Sequence, residues 1–437
     1  MGAITKSLEL AGAIIRLYFK GRRPAVGFDV ISIGELQFFR DVLERLVKER
    51  PDILVYFFHH EETQAALSEQ LHLTNPRFTH VRYSPHTLEL FTKLDLYITT
   101  EQYVQGPPSV YALTLFHGQP SKGVTFKLFN SDALAINDAL FLYGPLQKQA
   151  LKEHLDYWGL SLPSHLDLFE VGYTKSDRLI NGFFDRKIVL KEFGLDQAKK
   201  TIMYAPAFNQ GASMQEAGKE ILSALCRPDN YNVIAKLPID CLNPGLVGGI
   251  DWYSTLAALE SSFSNFKLMR NLEIDPGLAA SDVLITCVSS VGFEFLALKR
   301  PVIYFDTPKF FRETLSTFFP NHNLSSWANR TAVNGGREFG VVVSRPEELP
   351  GAIKEVLAHP KEYPKRQSEL PQCLIYNPGK ATEAAIKQIA NLLAQRVRSR
   401  RAYIRRSLWV YALGKARRSL QRLFAGILHG AASGRAQ

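Results

Sequence analysis

Short apolar runs alternate with amphipathic segments along most of this chain, and this alternation most strongly constrains its fold. The run FDVISIG (28–34) is typical of a buried strand, and ELQFFRDVLERLVKE (35–49) has helical spacing. The same series continues with strand-like runs at 52–58, 94–100, 111–117 and 138–144 and a helical segment at 62–72. Buried strands separated by helices predict a parallel sheet covered by helices.

A second series of the same kind begins near residue 200. Residues 180–200 are charged and lack strand character, so we place a boundary there. Strands are predicted at 200–207, 232–238, 267–273, 282–288 and 301–306, with helices at 347–357 and 380–395. A chain of 437 residues exceeds one hydrophobic core. We therefore predict an α/β fold of two Rossmann-like domains, 1–185 and 186–395, which face a central cleft where ligands bind.

The net charge of +10 belongs to the C-terminal segment 396–437. This segment has 11 Lys and Arg residues and neither Asp nor Glu, so the rest of the chain is near neutral. Such a distribution does not support a nucleic-acid surface spread over the fold, and we expect no nucleic-acid partner. Within 396–428, apolar and aromatic residues recur at helical spacing among the cations, as in helices that lie on anionic lipid.

We therefore predict a basic amphipathic helical tail that holds the protein peripherally on the cytoplasmic face of the membrane. A solvated tail, or a helix packed on the body, is the alternative. The N-terminal LELAGAIIRLYF is either a second membrane contact or an extra helix on the first domain. We expect no signal peptide, and no uncharged stretch reaches the roughly 18–20 residues of a membrane span.

The cysteines and carboxylates give no sign of a metal or cofactor site. Four cysteines are scattered without a C-x-x-C pair, which argues against a zinc site or a disulfide framework and suits a reducing compartment. The carboxylates form no cluster of metal-ligand type. We expect neither a tightly bound metal nor a cofactor.

Polar residues follow several predicted strands, and each group has a structural and a functional interpretation. TLFHGQPSKG (114–123) ends a strand at His117, which is either packed at a turn or a base in the cleft. FEVGYTKSDRLI (169–180) ends one at Gly172 and is either a polar turn or a loop that offers a cation. In TIMYAPAFNQG (201–211), Pro206 either fixes the chain or shapes a pocket.

Ser289 and Ser290 follow the predicted strand at 282–288 and precede the helical VGFEFLAL. A serine here is commonly an ordinary N-cap. The free backbone N–H groups and hydroxyls of such a site also suit a phosphate.

Taken in order, four stretches resemble the CDP-glycerol glycerophosphotransferase family of teichoic-acid primases and polymerases. They are LFHGQPSKG, VGYTKSDRL, TIMYAPAF and SDVLITCVSSVGFEFLALKRPVIYF, and the resemblance covers most of residues 90–310. YNPGKATEAAIKQI (376–389) is similar to the closing helix of the family. The resemblance implies a GT-B-like fold. It also implies transfer of glycerol phosphate, or a related alditol phosphate, from a CDP-activated donor to a hydroxyl of a lipid-linked or polymeric acceptor, with release of CMP.

The same resemblance implies roles for individual residues in the synthesis of a teichoic-acid-like or capsular polymer. His117 takes the place of the family's general base, since an imidazole has a pKa near working pH. Ser289 and Ser290 take the place of the serines that hold the donor's diphosphate. The other residues expected to contact substrate are Gly118, Lys122, Gly172, Lys175, Asp177, Pro206, Lys236 and Glu294.

The chain departs from the family pattern at several positions that we expect to face the donor. Cys287 and Val288 replace an Asp-Tyr pair, and Thr174 and Lys175 replace Pro-Arg. Asn209 replaces an arginine, and AKLPID lacks a second histidine. The donor is therefore a CDP-alditol or another nucleotide-activated compound. The alternatives are a nucleotide-sugar-dependent GT-B glycosyltransferase and a non-catalytic membrane-bound relative.

Overall fold

The computed structural model contains two parallel sheets, each covered by helices. It describes residues 3–30, 33–59, 78–101, 104–116, 134–228, 230–270, 273–316, 331–370 and 374–401. Within these ranges every strand pairs in parallel with its neighbours, and most strands are buried on both faces. Parallel strands need helical crossovers, which explains the alternation in the sequence. The predicted α/β fold with two sheets is confirmed.

The described part of the first sheet has seven strands in the order β3-β2-β1-β4-β5-β6-β7. They are β1 (Ala25–Val30), β2 (Leu54–His59), β3 (Phe78–Arg82), β4 (Leu96–Thr99), β5 (Tyr111–Leu115), β6 (Ala139–Leu142) and β7 (Asp167–Glu170). The second sheet has six described strands in the order β10-β9-β8-β11-β12-β13. They are β8 (Lys200–Tyr204), β9 (Tyr231–Lys236), β10 (Phe266–Met269), β11 (Val283–Thr286), β12 (Val302–Phe305) and β13 (Val341–Val343).

Helices connect and cover these strands. Those up to the start of the second sheet are α1 (Ala3–Tyr18), α2 (Leu36–Glu49), α3 (Pro85–Glu89), α4 (Pro145–Trp158), α5 (Ser176–Ile180) and α6 (Arg186–Glu192). Those that follow are α7 (Ser213–Cys226), α8 (Trp252–Ser262), α9 (Asp275–Ala280), α10 (Val291–Ala297), α11 (Thr331–Asn334), α12 (Leu349–Ala358) and α13 (Ala381–Gln395). The helices predicted at 35–49, 347–357 and 380–395 correspond to α2, α12 and α13, whereas the segment at 62–72 lies outside the described residues.

The order of strands reverses once in each sheet. In the first sheet this switch point lies between β1 and β4, and in the second between β8 and β11. The loops that follow two such strands diverge to opposite faces of the sheet and leave a crevice at the carboxyl ends, which is where ligands bind in open α/β sheets. Ser289 and Ser290 follow β11, and Pro206 follows β8, so these predicted residues flank the second switch point.

The closing helix α13 packs against the first sheet. Ile386 and Ile389 lie in one core with Val26 and Phe28 of β1, and with residues of α2. The chain thus returns from the second sheet to the first. The predicted second domain, 186–395, includes α13, although this helix packs against the first sheet. The domain boundaries at residues 185 and 395 stay predictions.

The beginning of the cationic tail is docked on the body. The Arg401 guanidinium is buried, forms an ion pair with Asp138 and donates to the carbonyl oxygens of Val110 and Gly106. These groups lie at the amino-terminal edge of the first sheet, opposite its switch-point loops. The remainder of the predicted tail, 402–437, lies outside the described residues.

Helix α1 packs on the first sheet through Ala13 and Leu17. This packing agrees with the second of the two interpretations of the N-terminal segment, an extra helix on the first domain. It leaves Leu8, Ile15 and the following Phe19 largely exposed. None of the helices in the described ranges combines the length and the hydropathy needed to cross a membrane.

Candidate active site

A cavity of about 380 Å³ lies between the two sheets at the switch point of the second. Gly34, Gln37 and Phe38 contribute to it from the first sheet's side, and loops after β8, β9 and β11 contribute from the other. Six of the predicted substrate-binding residues line it, namely Lys175, Pro206, Lys236, Ser289, Ser290 and Glu294. Residues that follow or end the neighbouring strands β8, β9 and β11 thus converge at one cavity, as expected for the carboxyl ends of a parallel sheet.

Lys175 lies at the floor of this cavity in a buried ion-pair cluster. Its Nζ is 3.0 Å from Asp275 Oδ1 and 2.5 Å from Glu294 Oε2. Burial alone would lower the pKa of Lys175, but the two carboxylates raise it above its ordinary value. The ammonium is thus compensated within the protein, and it joins the segment after β7 to α9 and α10.

Lys236 ends β9 and has a different environment. Its Nζ donates to Leu237 O at 2.8 Å, and the side chain is nearly buried. Burial is the main cause that lowers the pKa of Lys236 to about 8, and the charge of Lys175 adds to this effect. Within the described ranges this ammonium is paired with no carboxylate, so its positive charge is available to a ligand in the cavity.

Ser289 and Ser290 face the cavity from the end of β11. Ser290 immediately precedes α10, and its side chain makes no capping hydrogen bond. The adjacent strand ends are fixed to each other, because Thr286 Oγ1 donates to Ala205 O at 2.7 Å. Ser289 and Ser290 thus follow a strand end that is tied to its neighbour, and both residues are half-buried at the cavity.

Besides Gln37 and Arg270, the rest of the cavity wall is largely apolar, and this wall was not predicted. It includes Ile239, Leu242, Tyr253 and Ile274. Leu242 is 63% exposed and Ile239 44% exposed at the mouth. The signal available in the sequence was LPIDCL, an apolar segment directly after β9. An apolar wall with an aromatic ring next to polar hydroxyls and a cation suits a nucleotide-like ligand, which has a planar base and a charged phosphate.

Two predicted residues lie away from the cavity. Gly172 has φ +109°, and a Cβ there would lie 2.1 Å from Tyr376 O. Asp177 accepts hydrogen bonds from the backbone N–H groups of Ala381 and Thr382, at 3.1 and 2.6 Å. Both residues thus hold the start of α13 against the segment after β7, which is a structural role. His117, Gly118 and Lys122 lie outside the described residues and stay predictions.

Four of the departures from the family pattern lie outside this cavity, and the expectation that they face the donor stays a prediction. Thr174 Oγ1 donates to Phe38 O at 2.7 Å, and Asn209 accepts a hydrogen bond from Ala212 N through its backbone. Cys287 and Val288 are buried in an apolar cluster with Phe310. None of the four lines the cavity. Lys175, Leu237 and Pro238 do line it, so the lysine that replaces an arginine and the missing histidine are the departures that concern the cavity.

A second polar cluster lies at the switch point of the first sheet. Tyr97 donates its hydroxyl to the buried Asp29, and Thr100 Oγ1 donates to Glu35 Oε2 at 2.9 Å. Burial raises the pKa of Asp29 to about 8, the hydrogen bond from Tyr97 opposes this shift, and Glu35 and Glu101 add to it. The described residues contain no group of three or more His, Cys, Asp or Glu side chains that could hold a metal ion.

Two parallel sheets with opposed carboxyl ends and a cavity between them define a GT-B-like fold. The profile of the CDP-glycerol:poly(glycerophosphate) glycerophosphotransferase family matches residues 39–314. This match spans more than half of the chain, so the chain belongs to that family. It is a transferase, and its class of reaction is CDP-glycerol-dependent transfer of glycerol phosphate. The family resemblance of the four sequence stretches is confirmed.

Solved structures agree with this fold. The wall teichoic acid polymerase TagF, in a variant soaked with CDPG, has a TM-score of 0.59 at 12% identity, with 90% of this chain and 99% of that chain covered. A UDP-GlcNAc 2-epimerase from Neisseria meningitidis, bound to UDP-GlcNAc, has a TM-score of 0.51 at 12% identity, with coverage of 84% and 100%. At these identities the likeness shows the fold alone. No curated protein sequence matches the chain.

Proposed function

We propose that this enzyme binds CDP-glycerol in the cavity between its sheets. It transfers the glycerol phosphate to a hydroxyl of a polymeric or lipid-linked acceptor and releases CMP. The product is a teichoic-acid-like polymer of the cell surface. The observation that carries this proposal is the convergence of Lys236, Ser289 and Ser290 at one switch point, beside an apolar wall, in a chain of this family.

The cavity matches the parts of such a donor. The base fits the apolar wall at Tyr253 and Leu242, where an aromatic ring and aliphatic groups exclude water. The hydroxyls of Ser289 and Ser290 donate to the diphosphate oxygens. A hydrogen bond to a charged oxygen is about twice as strong as a neutral one.

The transfer breaks one P–O bond and forms another. The acceptor oxygen attacks the phosphorus that carries glycerol, and the bond from that phosphorus to the CMP oxygen breaks. The electron pair stays on CMP, and the acceptor's proton passes to a base. His117 is proposed as that base, because an imidazole near neutral pH accepts a proton readily.

The test of this function is a donor panel. The protein is incubated with CDP-glycerol, CDP-ribitol and UDP-sugars in the presence of a glycerophosphate oligomer, and nucleotide release is recorded. We expect CMP from CDP-glycerol. We also expect a loss of 100-fold or more in kcat/KM when Ser289 and Ser290 are both changed to alanine. The matched control is Ser262→Ala, an exposed serine on α8 away from the cavity.

Other outcomes would replace the proposal. Release of UDP from a nucleotide sugar would make the protein a glycosyltransferase. Tight donor binding without turnover with glycerophosphate, lipid-linked and glycosyl acceptors would make it a non-catalytic relative. A Ser289→Ala/Ser290→Ala variant with the kinetics of the wild type would place the donor elsewhere.

We further propose that the protein works peripherally on an anionic membrane surface. The support is the tail, in which cations alternate with aromatic and aliphatic residues, and helix α1, which exposes Ile15 and Phe19. Co-sedimentation with vesicles containing anionic lipid, at low and high salt, measures this binding. Binding should weaken when Arg417, Arg418 and Arg422 are changed to glutamate. Equal binding to neutral vesicles, or a preference for RNA, would contradict the proposal.

A further inference from the structure

The cavity contains two lysines whose surroundings assign them different tasks. Both Lys175 and Lys236 line it, and both side chains are largely buried. A sequence offers no means to tell them apart, since either cation could face a phosphate. The positions of the carboxylates in the structure separate them.

Lys175 is committed to the protein. It faces Asp275 and Glu294, and these carboxylates come from two helices of the second sheet's side. The ammonium donates to both carboxyl groups, and although burial raises the pKa of Glu294, the charge of Lys175 opposes that rise. A phosphate that approached Lys175 would meet both carboxylates at hydrogen-bond distance from the same ammonium, which disfavours phosphate binding there.

Lys236 has no such partner among the described residues. Its Nζ donates to a neutral carbonyl, Leu237 O, at 2.8 Å. It lies at the carboxyl end of β9, next to β8 in the sheet, and shares the cavity with Ser289 and Ser290. A nearly buried ammonium and two serine hydroxyls that line one cavity provide charge and donors for a phosphate group, in a setting where electrostatic interactions are stronger than in water.

We propose that Lys236 is the residue that stabilises the phosphate of the departing CMP, whereas Lys175 holds the two halves of the cleft together. This inference rests on the proposed function. The P–O bond that breaks leaves its electron pair on the CMP oxygen, and a lysine of the donor cavity supplies the positive charge that stabilises it.

The leaving group needs charge stabilisation and not a proton. The second pKa of a phosphate monoester is about 6, so CMP departs as a dianion near neutral pH. Lys236 therefore acts as an ammonium throughout and must be charged when the donor binds. The charged or titratable groups near it are Cys241, Tyr253, Arg270 and the cluster of Lys175 with Asp275 and Glu294.

This requirement sets an upper pH limit. Burial lowers the pKa of Lys236 to about 8, so the free enzyme loses this charge as the pH rises through 8. The kcat/KM value reports the free enzyme and should fall with an apparent pKa near 8. Arginine stays charged at that pH, so Lys236→Arg should move the alkaline fall of kcat/KM to higher pH.

The experiment measures pH profiles of kcat/KM for CMP release by the wild type, Lys236→Arg and Lys236→Met. The matched control is Lys267→Met, because Lys267 lies on the neighbouring strand, pairs with Glu260 and does not line the cavity. We expect Lys236→Met to lose 100-fold or more in kcat/KM. We expect Lys236→Arg to retain activity within about tenfold and to shift the alkaline limb, while Lys267→Met keeps the wild-type profile.

Two results would overturn the inference. One is a Lys236→Met enzyme whose kcat/KM lies within threefold of the wild-type value. The other is a Lys236→Arg enzyme whose kcat/KM falls at the same alkaline pH as that of the wild type. If Lys236→Met does not fold, the profile of Lys236→Arg still decides. If the wild type turns over no CDP donor, the proposed function fails. Titration with CMP alone then tests Lys236, with tenfold weaker binding expected for Lys236→Met and unchanged binding as the contrary result.

Discussion

Replacing Lys175 with methionine tests the ion-pair cluster at the cavity floor. The change removes an ammonium that lies 3.0 Å from Asp275 and 2.5 Å from Glu294, both of them buried. Removing one partner of a buried pair leaves an uncompensated charge and typically destabilises a protein by about 3–5 kcal/mol. Here two carboxylates lose their partner, so we expect a loss in unfolding free energy of about 4 kcal/mol at pH 7.5, measured by urea denaturation.

The pH dependence separates charge from packing. Burial already raises the pKa of Glu294, and Lys175 opposes this rise, so removal of the lysine raises the folded-state pKa of Glu294 further above the unfolded value. The stability contributed by protonated Glu294 is present below the unfolded pKa and is lost as the pH rises through the folded-state pKa. The deficit of Lys175→Met should therefore shrink when the pH falls from 7.5 to 5. A methionine that merely packs badly would show the same deficit at both pH values.

Two variants complete this test. The charge-free combination of Lys175→Met, Asp275→Asn and Glu294→Gln should recover at least half of the loss, since no buried charge remains. Lys309→Met removes a lysine paired with Glu216 on the exposed surface and should leave the midpoint unchanged. A surface ion pair contributes about 1 kcal/mol or less to stability. A Lys175→Met protein whose unfolding free energy lies within about 1 kcal/mol of the wild-type value would therefore contradict this prediction.

Three further predictions concern other buried features. Gly172→Ala should destabilise the protein by about 3 kcal/mol or more in thermal unfolding, because φ is +109° and the added Cβ would clash with Tyr376 O. An unchanged melting temperature would contradict this close approach. Arg401→Ala should lower the unfolding free energy by about 3–5 kcal/mol, since Asp138 loses its buried partner, and should speed proteolysis near residue 400. Wild-type stability together with wild-type resistance to the protease would contradict this prediction. Because burial raises the pKa of Asp29 to about 8, wild-type stability should fall between pH 4 and 8, and Asp29→Asn should flatten this fall in denaturant titrations; parallel curves would contradict it.

Most of the fold could be predicted because parallel strands buried on both faces leave a clear pattern of apolar runs. The errors lie at the carboxyl ends. Ala205 and Cys287 continue apolar runs beyond β8 and β11 and are buried, but both strands end before them. Strands β3 and β13 are only partly buried; β3 mixes polar with apolar residues, and β13 has only three residues.

The candidate site was predictable where chemistry follows a strand end, as at Ser289 and Lys236. It was not predictable where the deciding partner is distant in sequence. Lys175 meets Asp275 and Glu294 across separations of 100 and 119 residues, and this contact is the reason that we propose a structural role for it instead of a ligand role. Asp29 did carry a signal, a carboxylate inside a buried strand, but nothing in the sequence placed Tyr97 beside it.

A crystal structure of the protein soaked with CMP would show directly where the donor binds. We expect a phosphate within hydrogen-bond distance of Lys236 Nζ and the hydroxyls of Ser289 and Ser290. We also expect a base against Tyr253, and an intact cluster of Lys175 with Asp275 and Glu294. A nucleotide bound outside this cavity, or a phosphate held by Lys175 with Lys236 unengaged, would contradict this expectation.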